Sequence, residues 1–423
     1  MNQVAQPFEP SISEFNWKSS GAAVAVTVGF LVGPSSVIGP PLGLFMLPVA
    51  AEFGIGRTGF SILMLMAAWT AAFVAPFAGR AIDRYGVRRI VLPAVFLFGL
   101  VEMALALARG SVLVYFGIYM LVGVLAGVQN PIAYAKVASV WFRRRRGLVL
   151  AVAAAIGSGG GGIIVPQIAA AAIDRGGWRA GYVALGIFII IVGVPILFAL
   201  LHEPLVHHDA KTLAEPGVPV DLSGSTRAEA IRSRVLWQII VAMCLSCGSL
   251  FALSVHVPAM VAEAFHTPAV AATFLSIFAV GGVVSQLTCG FLLDRLNSPK
   301  VAAPYFFAAF LGAVAVAQVS NHPGLMLPGA FLLGMGLGAD ISVSAYFVSR
   351  FFGLRAYGEI YGLVYASIVA GAGLGPVLVG IAFDRLGSYD HALTGCAIAL
   401  AASSLLIVLL PRYVFRIAGS HAN

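Results

Sequence analysis

Charged residues are scarce in this sequence. Asp, Glu, Lys and Arg together make up 10% of its 423 residues, against 60% for hydrophobic residues, whereas about 25% of the residues of soluble domains are charged. A soluble core could not bury that much apolar surface. The composition therefore excludes a soluble globular protein and indicates a chain embedded in a lipid bilayer.

Several motifs of chemistry are also missing. No glycine-rich phosphate loop followed by Lys-Ser or Lys-Thr occurs, which excludes ATP as the energy source. Cys244 and Cys247 form a C-x-x-C on an apolar segment without further ligands, so we predict no metal site and no cofactor. No nucleophile–base set stands out near the membrane, and we predict that the protein is not an enzyme. The first residues lack the pattern of a signal peptide, and we expect the first apolar segment to act as the targeting signal.

Long apolar segments dominate the rest of the chain. A helix needs roughly 20 residues to cross the hydrocarbon core, and twelve segments reach that length without the alternating polarity of a β-barrel strand. We therefore predict an all-α membrane protein with twelve transmembrane helices. They cover residues 21–48, 59–78, 90–108, 112–138, 147–172, 180–201, 235–258, 270–291, 301–319, 325–348, 361–382 and 392–410.

The two halves of the chain repeat one another. Asp83-Arg84 recurs 211 residues later as Asp294-Arg295, and Asp174-Arg175 recurs 210 residues later as Asp384-Arg385. In a very apolar protein, a half-length unit used twice is typical of a transporter built from structural repeats. We predict an N-terminal six-helix half, 1–202, a cytoplasmic linker, 203–234, and a C-terminal half, 235–423.

Basic residues predict the orientation. With the amino terminus in the cytoplasm, 19 of the 25 Lys and Arg residues fall inside and five outside, as the positive-inside rule requires. We therefore expect both termini to be cytoplasmic, in the inner or plasma membrane. The net charge of +8 is explained by lipid headgroups beside these segments, so we expect no nucleic-acid partner. We predict a monomer.

The loop between the second and third helices resembles a family signature. The run G-R-A-I-D-R-Y-G-V-R-R begins at Gly79, and a degenerate copy, G-F-L-L-D-R-L-N-S-P-K, begins at Gly290. It is similar to the cytoplasmic signature loop of the major facilitator superfamily, whose members are twelve-helix secondary transporters. The resemblance implies that these loops latch the cytoplasmic side. The gating residues it indicates are Gly79, Asp83, Arg84, Arg88, Asp294 and Arg295.

A narrower resemblance points to one branch of that family. The segment W-F-R-R-R-R-G from Trp141 resembles the start of the fifth helix in monocarboxylate and oxalate–formate type transporters, and G-A-G-L-G-P at 371–376 resembles their eleventh helix. Two departures matter. That branch often has an Arg in the eighth helix, where Gln286 stands here, and its polar opening of the first helix is absent, with Ser19, Ser20 and Gly21 in its place. The fit to sugar porters and drug–proton antiporters is poorer.

Ionisable residues inside the predicted helices are few. They are Glu102, Lys136, His256 and Asp340, and such residues normally face a polar interior because a charge in lipid costs at least roughly 2.5–3.5 kcal/mol. We predict Asp340 as the proton carrier, with Asn130 as its counterpart in the repeat; a structural pair with Lys136 is the alternative. Glu102 and His256 are further candidates for proton coupling. Glu102 could instead pair with Arg109, and His256 could be an interfacial side chain.

Polar and aromatic residues near the predicted cavity are candidates for substrate binding. Lys136 is the one lysine within a span and the best cation for a carboxylate, although it could equally extend to the cytoplasmic surface. Tyr and Gln side chains can orient a carboxylate by hydrogen bonding. The predicted substrate-binding residues are Gln129, Asn130, Tyr134, Lys136, Gln286, Tyr346 and Tyr365.

Together these observations predict a secondary active transporter that moves a small organic anion, a monocarboxylate, with a proton by alternating access. The alternative within this class is an exchanger or efflux antiporter for aromatic or drug-like compounds. Outside it, a membrane-embedded enzyme lacks a catalytic set, and a transport-inactive nutrient sensor usually needs an extended signalling tail.

Overall fold

The computed structural model describes most of the chain. It covers residues 17–129, 133–134, 136–137, 141–142, 146–202, 224–265, 267–296, 298–319, 321–353 and 355–414. Within these ranges the structure is helical, apart from turns, loops and an isolated β-bridge between Gly224 and Gly353.

In the N-terminal half, the described residues form eight α-helices of more than one turn. They are α1 (Trp17–Val32), α2 (Leu42–Phe53), α3 (Arg57–Tyr85), α4 (Val87–Leu105), α5 (Val112–Val128), α6 (Arg146–Ala154), α7 (Gly160–Phe188) and α8 (Val194–Leu200). A single helical turn, Pro34–Val37, lies between α1 and α2, and π-helical turns at Ala155–Gly159 and Ile189–Gly193 join α6, α7 and α8.

In the C-terminal half, the described residues form seven α-helices. They are α9 (Arg227–Arg232), α10 (Arg234–Phe265), α11 (Pro268–Leu296), α12 (Ala303–Ala317), α13 (Met326–Phe352), α14 (Tyr357–Leu386) and α15 (Asp390–Val408). Glycine ends two of the long helices: α3 stops at Gly86 with φ 88°, and α14 stops at Gly387 with φ 68°, a left-handed conformation that other residues rarely adopt.

Nine helical stretches in the described part of the chain are long and apolar enough to cross a membrane. The longest, Val152–Leu200, has 49 residues, or about 74 Å of helix against a core of about 30 Å. It folds back at Gly177, whose φ is 72°, and a Cβ added at Gly181 would contact Ile173. This stretch therefore supplies two crossings.

Two further helices are apolar enough to cross the membrane, but one carries several charged residues and the other is short. The helix α4 carries Arg88, Arg89 and Glu102, and α5 has 17 residues. With them the described residues make twelve crossings, which confirms the all-α prediction. The positions of the crossings also match the predicted segments.

The first crossing differs from the prediction of one helix over 21–48. The chain leaves the helix at Gly33, makes one turn at Pro34–Val37 and starts again at Leu42. Proline removes a backbone donor and clashes with the preceding turn, and this short stretch holds Pro34, Pro40 and Pro41. The crossing is therefore two helices joined by an irregular segment.

The two halves of the chain meet at one end of the bundle. The largest contacts are those of α2 with α10, α3 with α14, and α7 with α11; α11 also contacts α2 and the π-helical turn Ala155–Gly159. The contacts of α3 and α14 extend from Gly56 beside Asp384 to Leu65 beside Gly373. We call the end that holds Gly56 and Asp384 the closed end.

The segment before α10 was predicted as part of the linker between the halves. Residues 203–223 lie outside the described residues, but α9 is a helix with a capping box, in which the Thr226 hydroxyl accepts from the Glu229 backbone and the Glu229 carboxylate accepts from the Thr226 backbone. That backbone bond lowers the pKa of Glu229. Because the Ser225 N–H also donates to the Phe352 carbonyl at 2.8 Å, this part of the linker is docked on the C-terminal half.

Candidate functional site

Asp340 is a buried carboxyl in the middle of α13. Its side chain is 3% exposed, and its Oδ2 accepts a hydrogen bond of 2.8 Å from the Ser246 hydroxyl on α10. Its Oδ1 is buried without a partner among the described residues. A charged carboxylate buried without a cation costs several kcal/mol. Asp340 is therefore a buried acid with one hydroxyl partner and no cation partner among the described residues.

Glu102 is the second buried carboxyl and lies in the other half. It is 3% exposed in α4, and the described residues offer it no hydrogen bond or ion pair. Its neighbours are tyrosines, of which Tyr115 and Tyr182 share a hydrogen bond of 2.7 Å between their hydroxyls. Arg109, the partner considered from the sequence, is exposed. The structure therefore places Glu102 in an aromatic cluster inside the N-terminal half.

A polar link joins the halves between α7 and α11. The Gln167 amide donates to the Ser276 hydroxyl at 2.9 Å, and that hydroxyl donates to the Ile163 carbonyl at 2.7 Å. The link crosses from one half to the other about two turns from the start of α11. Gln286 follows Val283 by three residues on α11, so helical spacing puts the two on the same face. Gln286 is half-buried and lies one turn farther from the closed end.

Two serines meet where the first crossing is broken. Ser35 lies in the turn at Pro34–Val37, and its hydroxyl is 3.0 Å from the hydroxyl of Ser158 in the π-helical turn before α7. The Ser35 side chain is exposed. The pair therefore presents two accessible hydroxyls beside an interrupted helix.

The direction of Ser158 follows from its neighbours on the same helix. Gly157 packs against Thr27 of α1, and Gly159 packs against Val283 of α11. The opposite side of the helix is exposed, since Ile156 is 60% accessible. By helical spacing Ser158 lies between the α1 and α11 contacts. It therefore faces the space between the two halves.

A cation clamps the closed end. Arg57, the first residue of α3, is 7% exposed, and its guanidinium donates to the Glu263 carboxylate of α10 at 2.6 Å and to the Tyr389 hydroxyl before α15. The same group lies 3.6 Å from the centre of the Phe383 ring of α14, within the range of a cation–π contact. One side chain of the N-terminal half thus binds three segments of the other half.

Asp384 binds the start of α3 from the other half. Its carboxylate accepts hydrogen bonds from the backbone N–H groups of Arg57 at 3.1 Å and Thr58 at 3.0 Å. The first N–H groups of a helix have no partner within the helix, and its positive dipole end attracts a carboxylate. Asp384 is therefore an N-terminal cap supplied by the opposite half.

His256 lies beneath this clamp. Its ring is 1% exposed, with Nε2 2.9 Å from the Pro376 carbonyl of α14 and Nδ1 3.2 Å from the Tyr389 hydroxyl. Ser61 lies 3.4 Å from Nε2 while donating to the Arg57 carbonyl. Of the predicted proton-coupling residues, His256 is the one that joins the two halves.

The predicted substrate residues of the N-terminal half do not gather at one place. Gln129 donates to the Ala94 and Leu125 carbonyls, each at 3.4 Å, so it points toward α4. Tyr134 is buried against Gly29 and Phe30 of α1, and its hydroxyl has no partner among the described residues.

Lys136 lies near the end opposite the closed end. Lys136 donates to the Ile82 carbonyl near the end of α3, at 3.3 Å. Whether Lys136 binds an anion or extends to the surface therefore stays a prediction. Asn130 lies outside the described residues.

The two aromatic candidates of the C-terminal half are also separated. Tyr346 donates to the Leu293 carbonyl of α11 at 3.0 Å and lies against Tyr413. Tyr365 is half exposed and follows Tyr357 and Tyr361 in a row of neighbouring rings on α14.

The predicted gating residues lie at the end opposite the closed end. Arg88 donates to the Phe198 carbonyl at 2.8 Å. Arg84 and Arg295 are exposed and lie over the rings of Tyr85 and Phe291. A Cβ at Gly79 would meet nothing. The side chains of Asp83 and Asp294 lie outside the described part of the structure, so the predicted latch stays a prediction.

Sequence reasoning did not select the clamp or the serine pair. Arg57 was counted as one of five outside cations, and Asp384 as a repeat marker. The sequence does contain a signal for the clamp. Arg57 follows Gly56 at the start of an apolar segment, and an Asp recurs at the equivalent boundaries of the two repeats. The signal for the serine pair was the Gly and Pro content of 33–41 inside an apolar segment.

Comparison with known proteins adds a family. The model of the Major Facilitator Superfamily matches residues 24–317 and 257–420. An uncharacterized MFS-type transporter of Bacillus subtilis is 27% identical, over 86% of this chain and 88% of that protein. A 4-hydroxybenzoate transporter of Pseudomonas aeruginosa is 22% identical, over 96% and 94%. Monocarboxylate transporter 11 of Mus musculus is 24% identical, over 96% and 90%.

Proposed function

Because this chain belongs to the major facilitator superfamily and is therefore a multi-pass secondary transporter rather than an enzyme, we propose that it carries a small organic anion, a monocarboxylate, together with a proton. The two halves, 1–202 and 235–423, would rock about a central site to give alternating access. Transport of this kind needs no cofactor and no metal.

The observation that carries the proposal is the state of Asp340. A carboxyl that is buried and bonded only to a hydroxyl is stable as the neutral acid, and it becomes stable as the anion when water or a cation reaches it. Asp340 joins α13 to α10 through Ser246. Binding and release of its proton would therefore change how these two helices pack, which is what coupling requires.

The substrate class rests on the relatives and on the donors that face the space between the halves. Two relatives are named for 4-hydroxybenzoate and for monocarboxylates, both small carboxylates. Hydroxyl and amide groups can donate to a carboxylate. The Ser35–Ser158 pair and Gln286 supply such groups, and we assign the carboxylate end of the substrate to them.

The orientation is part of the proposal. We assign the end opposite Arg57 and both termini to the cytoplasmic side of the inner or plasma membrane, because basic residues are in excess at that end. The closed end then faces outward. In this arrangement the structure is the state in which the path to the outside is shut.

The test is flux in proteoliposomes. We expect an inwardly directed proton gradient, with the external side acidic, to drive accumulation of labelled 4-hydroxybenzoate or lactate by the native protein. Asp340→Asn should lose this accumulation but keep counterflow exchange, which shows that the variant is folded. Asp174→Asn, an exposed carboxyl outside the bundle core, is the matched control and should behave as the native protein. Full proton-driven uptake by Asp340→Asn would disprove the coupling role.

One feature favours the alternative, an exchanger or efflux antiporter for aromatic or drug-like compounds. The row of Tyr357, Tyr361 and Tyr365 on α14 offers ring faces for stacking. Exchange at equal rate with and without a pH gradient, with aromatic compounds preferred over lactate, would support this alternative.

A further inference from the structure

We propose that His256 makes the closed end sensitive to protons: the neutral ring completes a chain of hydrogen bonds that holds the two halves together, and a second ring proton breaks that chain. The chain runs from Arg57 through Tyr389 and His256 to Pro376. This device is separate from Asp340, and it does not depend on the identity of the substrate.

The partners of His256 determine which ring nitrogen carries the proton. The Pro376 carbonyl, 2.9 Å from Nε2, can accept but cannot donate, so Nε2 carries a hydrogen. The Arg57 guanidinium can donate but cannot accept, so the Tyr389 oxygen accepts from it. The hydrogen of Tyr389 is then free to point at Nδ1, 3.2 Å away. The neutral ring with its proton on Nε2 satisfies every one of these groups.

A proton on Nδ1 disrupts this arrangement. Two donors, Arg57 and Nδ1, would then point at the same Tyr389 oxygen, and the hydrogen of Tyr389 would lose its acceptor. The imidazolium would also lie across Tyr389 from the guanidinium, so that two like charges share a buried site. Both effects weaken the contact between α3 and the C-terminal half.

The nearby acids are already engaged. On α10, Glu263 pairs with Arg57 and is half exposed. On α14, Asp384 accepts from the backbone N–H groups of Arg57 and Thr58. On α3, the Ser61 hydroxyl donates to the Arg57 carbonyl. None of these carboxylates bonds to the His256 ring, so a charge on that ring has no direct counterion among the described residues.

The sign of the effect follows. At alkaline pH the ring is neutral and the closed end is held; at acidic pH the ring gains its second proton and the closed end opens more often. If this end faces outward, an acidic exterior favours the state that can receive both proton and substrate from outside. The proton on His256 must leave before the end closes again, so His256 acts on the gate and is a positioning residue.

A distance measurement tests this directly. Spin labels would be placed at two exposed positions of the closed end, Ala51 in α2 and Leu386 in α14, in the full chain with its four native cysteines replaced by serine and its transport verified. Between pH 8 and pH 5 we expect the population with a long label-to-label distance to rise on the order of tenfold.

Two variants separate His256 from other titrating groups. His256→Gln keeps a side-chain N–H for the Pro376 carbonyl but cannot gain a charge, so we expect its distance distribution to stay the same from pH 8 to pH 5. His391→Gln removes an exposed histidine of α15 at the same end and should leave the native response intact.

The outcomes are decisive in both directions. A native distance distribution without pH dependence, or the same pH response in His256→Gln as in the native protein, would overturn the proposal. Loss of the response in His256→Gln, with retained counterflow exchange to show that the variant folds, would support it. Because the readout is a distance, failure here leaves the Asp340 experiment unaffected, and failure of proton-driven uptake leaves this one unaffected.

Discussion

Two copies of one dipeptide, Asp174-Arg175 and Asp384-Arg385, occupy equivalent boundaries of the repeat and do different things. Asp384 caps the start of α3 in the opposite half. Asp174 is exposed, and within the described residues nothing bonds to it. The repeat therefore predicts where an Asp stands but leaves open what it binds.

The difference lies in the helix that each Asp could reach. The helix α3 begins at Arg57, and its repeat counterpart α11 begins 211 residues later at Pro268. Arg57 and Thr58 offer two backbone N–H groups, whereas at the matching positions Pro268 has none and Ala269 offers one. Arg57 also supplies a guanidinium. The clamp was built on one side of the closed end because the partner helix there starts with donors.

The contact between α3 and α14 and its repeat counterpart between α11 and α7 show the same asymmetry. Gly380 of α14 lies against α3, where a Cβ would be 2.9 Å from the backbone N and Cα of Thr58. Its counterpart 210 residues earlier is Ala170 of α7, which is buried with its methyl group. The α3–α14 contact is therefore close enough to require glycine, and its symmetric partner is not.

Removing the clamp should give the largest effect. Arg57→Met keeps an unbranched stem of similar length but loses the donors to Glu263 and Tyr389. Charge-assisted hydrogen bonds contribute about 1.5–3 kcal/mol each, so we expect the closed end to lose about 3 kcal/mol, or roughly 100-fold in the closed-to-open ratio. The label pair at Ala51 and Leu386 measures this ratio. Arg109→Met, an exposed cation, should change it less than twofold, and an unchanged ratio in Arg57→Met would remove the clamp from the account.

Replacing Gly380 by the alanine found at its repeat counterpart should have the next largest effect. Gly380→Ala places a methyl group against the Thr58 backbone, and overpacking of this kind costs typically about 2 kcal/mol, or roughly 30-fold in the same ratio. The control is Gly395→Ala in α15, where a Cβ meets open space. That change should leave the ratio unchanged and raise thermal stability slightly, because alanine is the better helix former.

The smallest effect is expected for the two aspartates of the repeated dipeptide, Asp384 and Asp174. Asp384→Asn keeps an acceptor oxygen for one backbone N–H but loses the charge, and we expect the closed end to lose about 1 kcal/mol, or roughly fivefold. Asp174→Asn should have no effect on the label distances. Equal responses of the two variants would show that the repeat symmetry extends to function after all.

Much of the fold could be predicted because apolar length is a strong signal. The twelve crossings, their order and the repeat all follow from composition and spacing. The break in the first crossing was missed because an average over an apolar segment conceals local backbone chemistry: Gly33, Pro34 and Pro40 cost a helix more than their hydrophobicity reveals.

Less of the site could be predicted. Asp340 was selected because an acid inside a span is unusual, and its burial and its bond to Ser246 agree with that reasoning about chemistry, although its role stays a proposal. Arg57 was overlooked because it stands at a helix end, where charge is ordinary. Its importance depends on Glu263 and Tyr389, which lie 206 and 332 residues away, and a distant pairing of this kind leaves no local pattern.

The broken first crossing has a mechanical consequence. The helix α1 packs on α6, on α8 and on the π-helical turn Ala155–Gly159 of its own half, whereas α2 packs both on α10 of the other half and on α3 and α7 of its own. The Pro34–Val37 turn is therefore a joint between a helix held by one half and a helix that contacts both. When the closed end separates, α2 must either slide off α10 or rotate with it about this joint. The serine pair lies at the joint, so a change in the angle between α1 and α2 would change the distance between Ser35 and Ser158.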